Sequence, residues 1–258
     1  MTRLRHQVSA TAPPRPWADA VLGEVAAAVA RSRFAAGVLV DPALAGVEVR
    51  LEAGDHLAPG ARYRVVGKAG AAAGAAAEAT AEVVVDAWDP GGRTEVTVSQ
   101  GPAVAEVRLD GLRVATVVGG FQGPGPFPRL RRAGWHARID LDRWWAGLPA
   151  AEVTAEHAWA TATLQLTAFA AGDGGRWLVR GQARARGRSW GRLVVAVALL
   201  VGRRALAEAF GRAMDDAARG CDEALERWAG ADPGEVARAL LAAAGGGIRH
   251  GDRPDGAQ

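Results

Sequence analysis

The chain of 258 residues predicts an α+β fold, a curved antiparallel sheet wrapped around a long C-terminal helix at residues 191–228. Three observations carry this expectation. Apolar and polar residues alternate with period two in run after run between residues 47 and 188, with turn residues between the runs. No strand–helix–strand units alternate along the chain, which argues against a doubly wound parallel sheet. Beyond residue 190 the apolar spacing changes to three and four, the period of an amphipathic helix.

The elements follow in order. Residues 5–12 form a first strand, which Pro13, Pro14 and Pro16 stop; Pro16 suits the first turn of a helix. Trp17, Val21, Val25 and Val29 then make an i, i+4 stripe. Residues 34–45 are ambiguous, with a turn at Asp41-Pro42. Val47, Val49 and Leu51 alternate with charged residues, and after a turn at 58–60 a strand returns with Tyr63 and Val65 on one face. Residues 67–77, almost pure Gly and Ala, read as a flexible connection. Strands at 79–85 and 94–98 flank the turn at 89–92, and Asp110-Gly111 signals a two-residue hairpin between 104–109 and 112–118.

Gly and Pro make 119–128 a loop. Trp135, Ala137, Ile139 and Leu141 alternate cleanly, Trp144-Trp145 lies in a connection, and a single long strand covers 155–170. Its faces are His157, Trp159, Thr161, Thr163, Gln165, Thr167, Phe169 and, opposite, Ala158 through Ala168; either face can point inward. The strand at 176–188 tapers on one face from Trp177 and Val179 to Gly181, Ala183, Ala185 and Gly187, leaving room for a closely packed helix or a ligand. The helix that follows has the stripe Leu193, Val197, Leu200, Ala207, Met214, Cys221, Leu225 and Trp228, with a bend expected near Gly202. Cys221 reads as a small buried hydrophobe in that stripe. One domain, 1–228, is expected, followed by a short helical or disordered tail at 229–258.

Composition narrows the function classes. With 49% hydrophobic and 23% charged residues the chain is ordinary globular material. A single cysteine forbids an intrachain disulfide, which makes a reducing cytoplasm the expected location. The longest apolar run, 193–201, is about half of what a bilayer requires, and no apolar stretch follows the N-terminal cations, so neither a transmembrane segment nor a signal peptide is expected. Lys68 is the sole lysine among 31 basic residues and there is no Asn, a bias of a GC-rich genome; the net charge is only +3. No nucleic-acid partner is expected on that balance.

Four stretches resemble the START-like superfamily, also called SRPBCC or helix-grip proteins. They are the opening strand and helix at 6–29; Leu57-Ala58-Pro59-Gly60-Ala61-Arg62-Tyr63-Arg64-Val65; Val83-Val84-Val85-Asp86-Ala87-Trp88-Asp89-Pro90; and the closing strand and helix from Trp177 to Trp228, with Gly202-Arg203-Arg204. The resemblance implies a helix-grip fold that holds a small hydrophobic or lipid-like ligand between sheet and C-terminal helix. A polyketide cyclase or dehydratase of the same fold is the alternative it implies, and a protein-interaction module with a filled core is a third reading. The chain is some tens of residues longer than a minimal member.

The residues themselves offer few chemical constellations. There is no Gly-x-Ser-x-Gly, phosphate loop, His-Glu-x-x-His or cysteine pair, and His6, His56, His136, His157 and His250 are scattered, so neither metal nor cofactor is expected. Tyr63, Trp135, His157, Trp159 and Trp177 are the candidate ligand-binding residues of a cavity. An enzyme would need an acid/base pair, for which His157 is the candidate base and Asp86 its candidate partner. Arg180, Arg184, Arg186 and Arg188 share one face of the closing strand, either as a solvated outer face or as a patch for phosphate, an acidic lipid headgroup or nucleic acid.

Overall fold

A computed structural model describes residues 2–40, 48–68, 78–122, 132–171, 175–188, 197 and 201–246. The chain opens with strand β1 (Thr2–Thr11) and helix α1 (Arg15–Arg31), which Pro14 and Pro16 start and Ser32 ends by bonding its hydroxyl to the Val29 carbonyl at 2.8 Å. Strands β2 (Phe34–Ala35), β3 (Val38–Leu39), β4 (Glu48–Ala53), β5 (Arg62–Lys68), β6 (Glu78–Ala87) and β7 (Arg93–Gln100) follow. Then come β8 (Ala103–Asp110), β9 (Val114–Gln122) and β10 (Arg132–Asp140), the short helix α2 (Leu141–Trp145), and β11 (Pro149–His157), β12 (Ala160–Ala170) and β13 (Arg176–Gly187). Helices α3 (Arg203–Arg227) and α4 (Pro233–Gly246) close the chain.

Among the described residues the strands make one antiparallel sheet in the order β1-β13-β12-β11-β10-β9-β8-β7-β6-β5-β4-β3-β2. The sheet is a plain meander apart from β1, which returns beside the last strand in register from Thr2↔Ala185 to Thr11↔Arg176. The register assigns the faces that sequence leaves open. Gly181 pairs with His6 and with Leu166, and a Cβ on Gly181 would lie 3.0 Å from Phe210 and Met214 of α3. The Ala/Leu face of β12 and the tapering face of β13 therefore point toward the helix, and Thr161, Thr163 and Thr167 point away from it.

Several expectations are corrected. The single strand at 155–170 is two, β11 and β12, joined at Ala158-Trp159. The turn shifts the alternation, so His157 shares a face with Val153 and Ala155, opposite to Thr161. The hairpin after β8 has three residues, with both Gly111 (φ 57°) and Leu112 (φ 59°) left-handed. Strand β9 runs through the residues 119–122 assigned to a loop. Residues 34–39 form a hairpin turning at Ala36 (φ 50°) and Gly37 (φ 76°).

The expected helix from 191 lies in part outside the described residues, as do Leu193 and Leu200; α3 is capped at Gly202, where a bend was expected. It lies against β1, at the edge of the sheet. It meets the sheet through Leu206, Phe210, Met214, Asp215 and Asp222; of the expected stripe Met214 lies in this contact and Leu225 and Trp228 are half-buried, whereas Ala207 is exposed, and so is Cys221, whose thiol is not a core group. Partial burial and the neighbouring Asp222 nevertheless raise the Cys221 pKa above the ordinary thiol range. Helix α4 packs on α1, and its Val236 and Ala237 are among the most buried side chains of the protein.

Candidate functional site

The inner face, the one that meets α3, is apolar across the sheet. On β9, β10 and β11 it presents Val117, Gly119 and Phe121; Trp135, Ala137 and Ile139; and Val153 and Ala155, all in register. Apolar side chains placed this way should be covered. Yet Phe121 and Ile139 are 45% exposed, Trp135 38% and Val153 36%. These four sit on three adjacent strands and form one contiguous open apolar floor, a pattern that marks binding surfaces. Gly119 shapes it, because a Cβ there would fall 2.4 Å from the Trp135 indole, so only glycine lets that ring lie flat across the neighbouring strand.

Helices bound the floor on two sides. Helix α1 roofs one end and leaves a cavity of about 370 Å³ over Thr94, Leu109, Ala115 and Ile139. A second cavity of about 260 Å³ lies beside it, walled by Trp17, Trp144, Trp145, Trp177 and Trp228, and Leu22 and Leu141 line both. Trp144 and Trp145 each meet Trp177 edge to face at 5.5 and 5.9 Å. On the other side, Leu206 of α3 covers Leu4, Val153, Leu164 and Ala183 over about 230 Å³. This last space is the expected compartment between sheet and C-terminal helix; the α1 compartment is the larger.

Four charges tie the α1 end together. Asp19 accepts from Arg113 at 3.0 Å and lies 3.8 Å from Arg15, while Asp142 accepts from Arg15 and lies 3.5 Å from Arg113. Two guanidinium groups and two carboxylates neutralise one another at the edge of the cavity that Arg113 helps to line. Arg15 also covers the Trp145 ring at 5.8 Å.

The candidate residues separate. Trp135 lies in the open floor, with His157 paired beside it at the Ala133 position. Trp159 meets His157 edge to face at 5.9 Å. Trp177 belongs to the tryptophan cavity. Tyr63 is elsewhere, in the core with Ala61 and Val85, and only 6% exposed. Its hydroxyl accepts from the Leu57 N–H at 2.7 Å and lies 2.9 Å from His56 Nδ1. The other ring nitrogen of His56 lies 3.2 Å from the Val29 carbonyl, which can only accept, so Nε2 carries the proton and Nδ1 accepts from Tyr63. Burial raises the Tyr63 pKa above its ordinary value, against a smaller lowering by the Leu57 N–H.

Asp86 bonds the Thr97 hydroxyl at 2.9 Å on the outer face, in a polar groove of about 380 Å³ with Glu95 and Arg108. Hydrogen bonds from Arg93 and then Arg108 hold the Glu95 carboxyl below the usual carboxylate range. The structure does not bring Asp86 to His157, since five strand positions and the thickness of the sheet separate them. Among the described residues no three His, Cys, Asp or Glu groups gather as a metal would require, and no helix is long and apolar enough to cross a membrane. Sequence reasoning missed Phe121, Val153 and Leu206 as site residues. The available signal was Gly119, opposite a tryptophan on the next strand.

No family model and no curated protein matches the chain. Among solved structures it is similar to Ara h 8.0201, with 11% identity, 78% of this chain and 91% of that chain covered, and a TM-score of 0.23. It is also similar to DynU16, a protein of the dynemicin biosynthetic locus, with 16% identity, 93% and 97% coverage and a TM-score of 0.19. Both superpositions are loose, and neither bears on function.

Proposed function

We propose that the protein binds a small, uncharged hydrophobic molecule on the inner face of the sheet, in the trough between α1 and α3. The observation that carries the reading is the open apolar floor of Phe121, Trp135, Ile139 and Val153. Trp135 supplies the flat surface and His157 a polar group at its rim. The cavity under α1 takes the deeper end of the ligand, since about 370 Å³ falls within the range of small-molecule pockets. A neutral ligand fits better than a charged one, because the polar groups at that end, Arg15, Asp19, Arg113 and Asp142, already neutralise each other. The element order, with strand, helix, meander, last strand beside the first and closing helix, supports the resemblance to the START-like superfamily.

Native mass spectrometry of protein purified from its host tests the proposal, together with titration of an uncharged hydrophobic fluorescent probe, N-phenyl-1-naphthylamine. We expect a copurified small molecule, and probe binding weakened at least tenfold by Val153→Arg or Ile139→Arg, both partly exposed positions that tolerate a long polar side chain. Equal probe binding by wild type and both variants overturns the proposal.

A further inference from the structure

The outer face of the sheet at the β1–β13 end carries a charge distribution that the trough does not explain. Arg3 and Arg5 of β1 and Arg180, Arg184 and Arg186 of β13 all point outward, and all are exposed. Among the described residues none of the five has a carboxylate within ion-pair distance, in a chain where most other strand arginines do. The patch is bracketed by two arginines that are paired, Arg188 with Glu156 at 3.0 Å and Arg176 with Asp222 at 3.1 Å. Five unpaired guanidinium groups exceed the whole chain's net charge of +3, so the charge is segregated to this face.

The register makes the segregation costly. Arg3 stands directly opposite Arg184, a like-charge cross-strand pair. The next positions pair Arg5 with Gln182 and Gln7 with Arg180, so two arginines and two glutamines alternate around one block. These four line a groove of about 520 Å³ along β1, with His6. Thr163 and Thr167 flank Arg184 and Arg180 on the next strand. The groove thus offers guanidinium forks and amide N–H groups, with hydroxyls on the strand beside it, and no carboxylate lines it.

We propose that this groove binds phosphate groups, with Arg5 and Arg180 as the central pair and Arg3 and Arg184 beside them. Guanidinium forks match phosphate oxygens two at a time. A nucleic acid fits less well, because Phe169, the aromatic ring on this part of the face, already lies under Arg180 at 5.2 Å and offers no stacking platform. The phosphate comes either from a free phosphorylated compound or from a lipid headgroup.

Two arms distinguish these sources. Calorimetric titration with inorganic pyrophosphate reads the free ligand, and cosedimentation with phosphatidylcholine vesicles with or without phosphatidic acid reads the headgroup. We expect binding in one arm, weakening as salt rises, and falling about fivefold for each of Arg5→Gln, Arg180→Gln and Arg184→Gln. Arg184→Gln should at the same time leave the melting temperature unchanged or raise it, because it removes the repulsion from Arg3; a lower melting temperature would mark the arginine as structural. Absence of binding in both arms, binding that the three variants leave intact, or tighter capture of a single-stranded oligonucleotide at the same salt overturns the proposal.

Discussion

His6 on the inner face of β1 donates from Nε2 to the Asp215 carboxylate of α3 at 2.9 Å, while its ring lies against Gly211 one turn earlier. A Cβ on Gly211 would lie 3.4 Å from that ring, an ordinary contact, so helix and strand meet here at van der Waals distance. Seven residues further, Asp222 accepts from the Thr11 backbone N–H at 2.5 Å and from Arg176 at 3.1 Å. The helix is thus fastened to the sheet edge at two points on one face.

The first fastening is the more exposed of the two. Asp215 is 55% exposed, so Asp215→Ala should cost no more than about 1 kcal/mol in urea denaturation. A loss of several kcal/mol would show that His6 and Asp215 form part of the core rather than a surface clasp.

Asp222 should make stability depend on acid pH. The Thr11 N–H, and after it Arg176, hold its carboxyl below the usual carboxylate range. A lowered folded-state value means that the stabilisation is complete above the unfolded carboxyl value, about 4, and is lost as the pH falls through the folded value. Wild type should therefore exceed Asp222→Asn by about 1 kcal/mol at neutral pH, and the two should converge in acid. Parallel curves down to the acid limit would remove Asp222 from the account.

Tyr63 can be followed without a label, because it is the chain's one tyrosine. Its phenol should titrate above 10.0 by absorbance near 295 nm, since burial disfavours the phenolate. A titration at the ordinary value in the folded protein would contradict its burial. Tyr63→Phe leaves His56 Nδ1 and the Leu57 N–H without their partner, and should cost about 1–3 kcal/mol in thermal or chemical unfolding.

Much of this fold is legible in the sequence wherever a local signal and the register agree. Alternation and the prolines at 13, 14 and 16 place β1 and α1 within a few residues. The turn between β11 and β12 is hidden because Ala158 and Trp159 carry no turn chemistry and the sequence alternation runs unbroken through them. Period two also cannot say which face is inside; that is decided by Gly181 meeting Phe210 and Met214, a contact between distant segments. The apolar spacing of α3 finds Met214 on its contact face but not Asp215 and Asp222, the short carboxylates that fasten it to β1. Helix α4 had a local mark, Asp232 accepting from the Gly234 N–H at 2.8 Å, but its burial depends on α1. Of the open floor only Trp135 and its partner Gly119 leave a mark in the sequence, since the floor's extent is defined by what fails to cover β9–β11.

The return of β1 to the far end of the meander has a consequence for assembly. Every other neighbour in the sheet is also a neighbour along the chain, so those hairpins form as soon as their residues exist. Strand β1 is made first and paired last, because β13 must be complete before Thr2 and Thr11 find Ala185 and Arg176. Until then both β1 and the outer edge of β13 present unpaired backbone to any other chain. The helix that Asp215 and Asp222 fasten across this seam therefore locks the final step, and the lifetime of the unsealed seam sets how exposed a newly made chain is to mispairing.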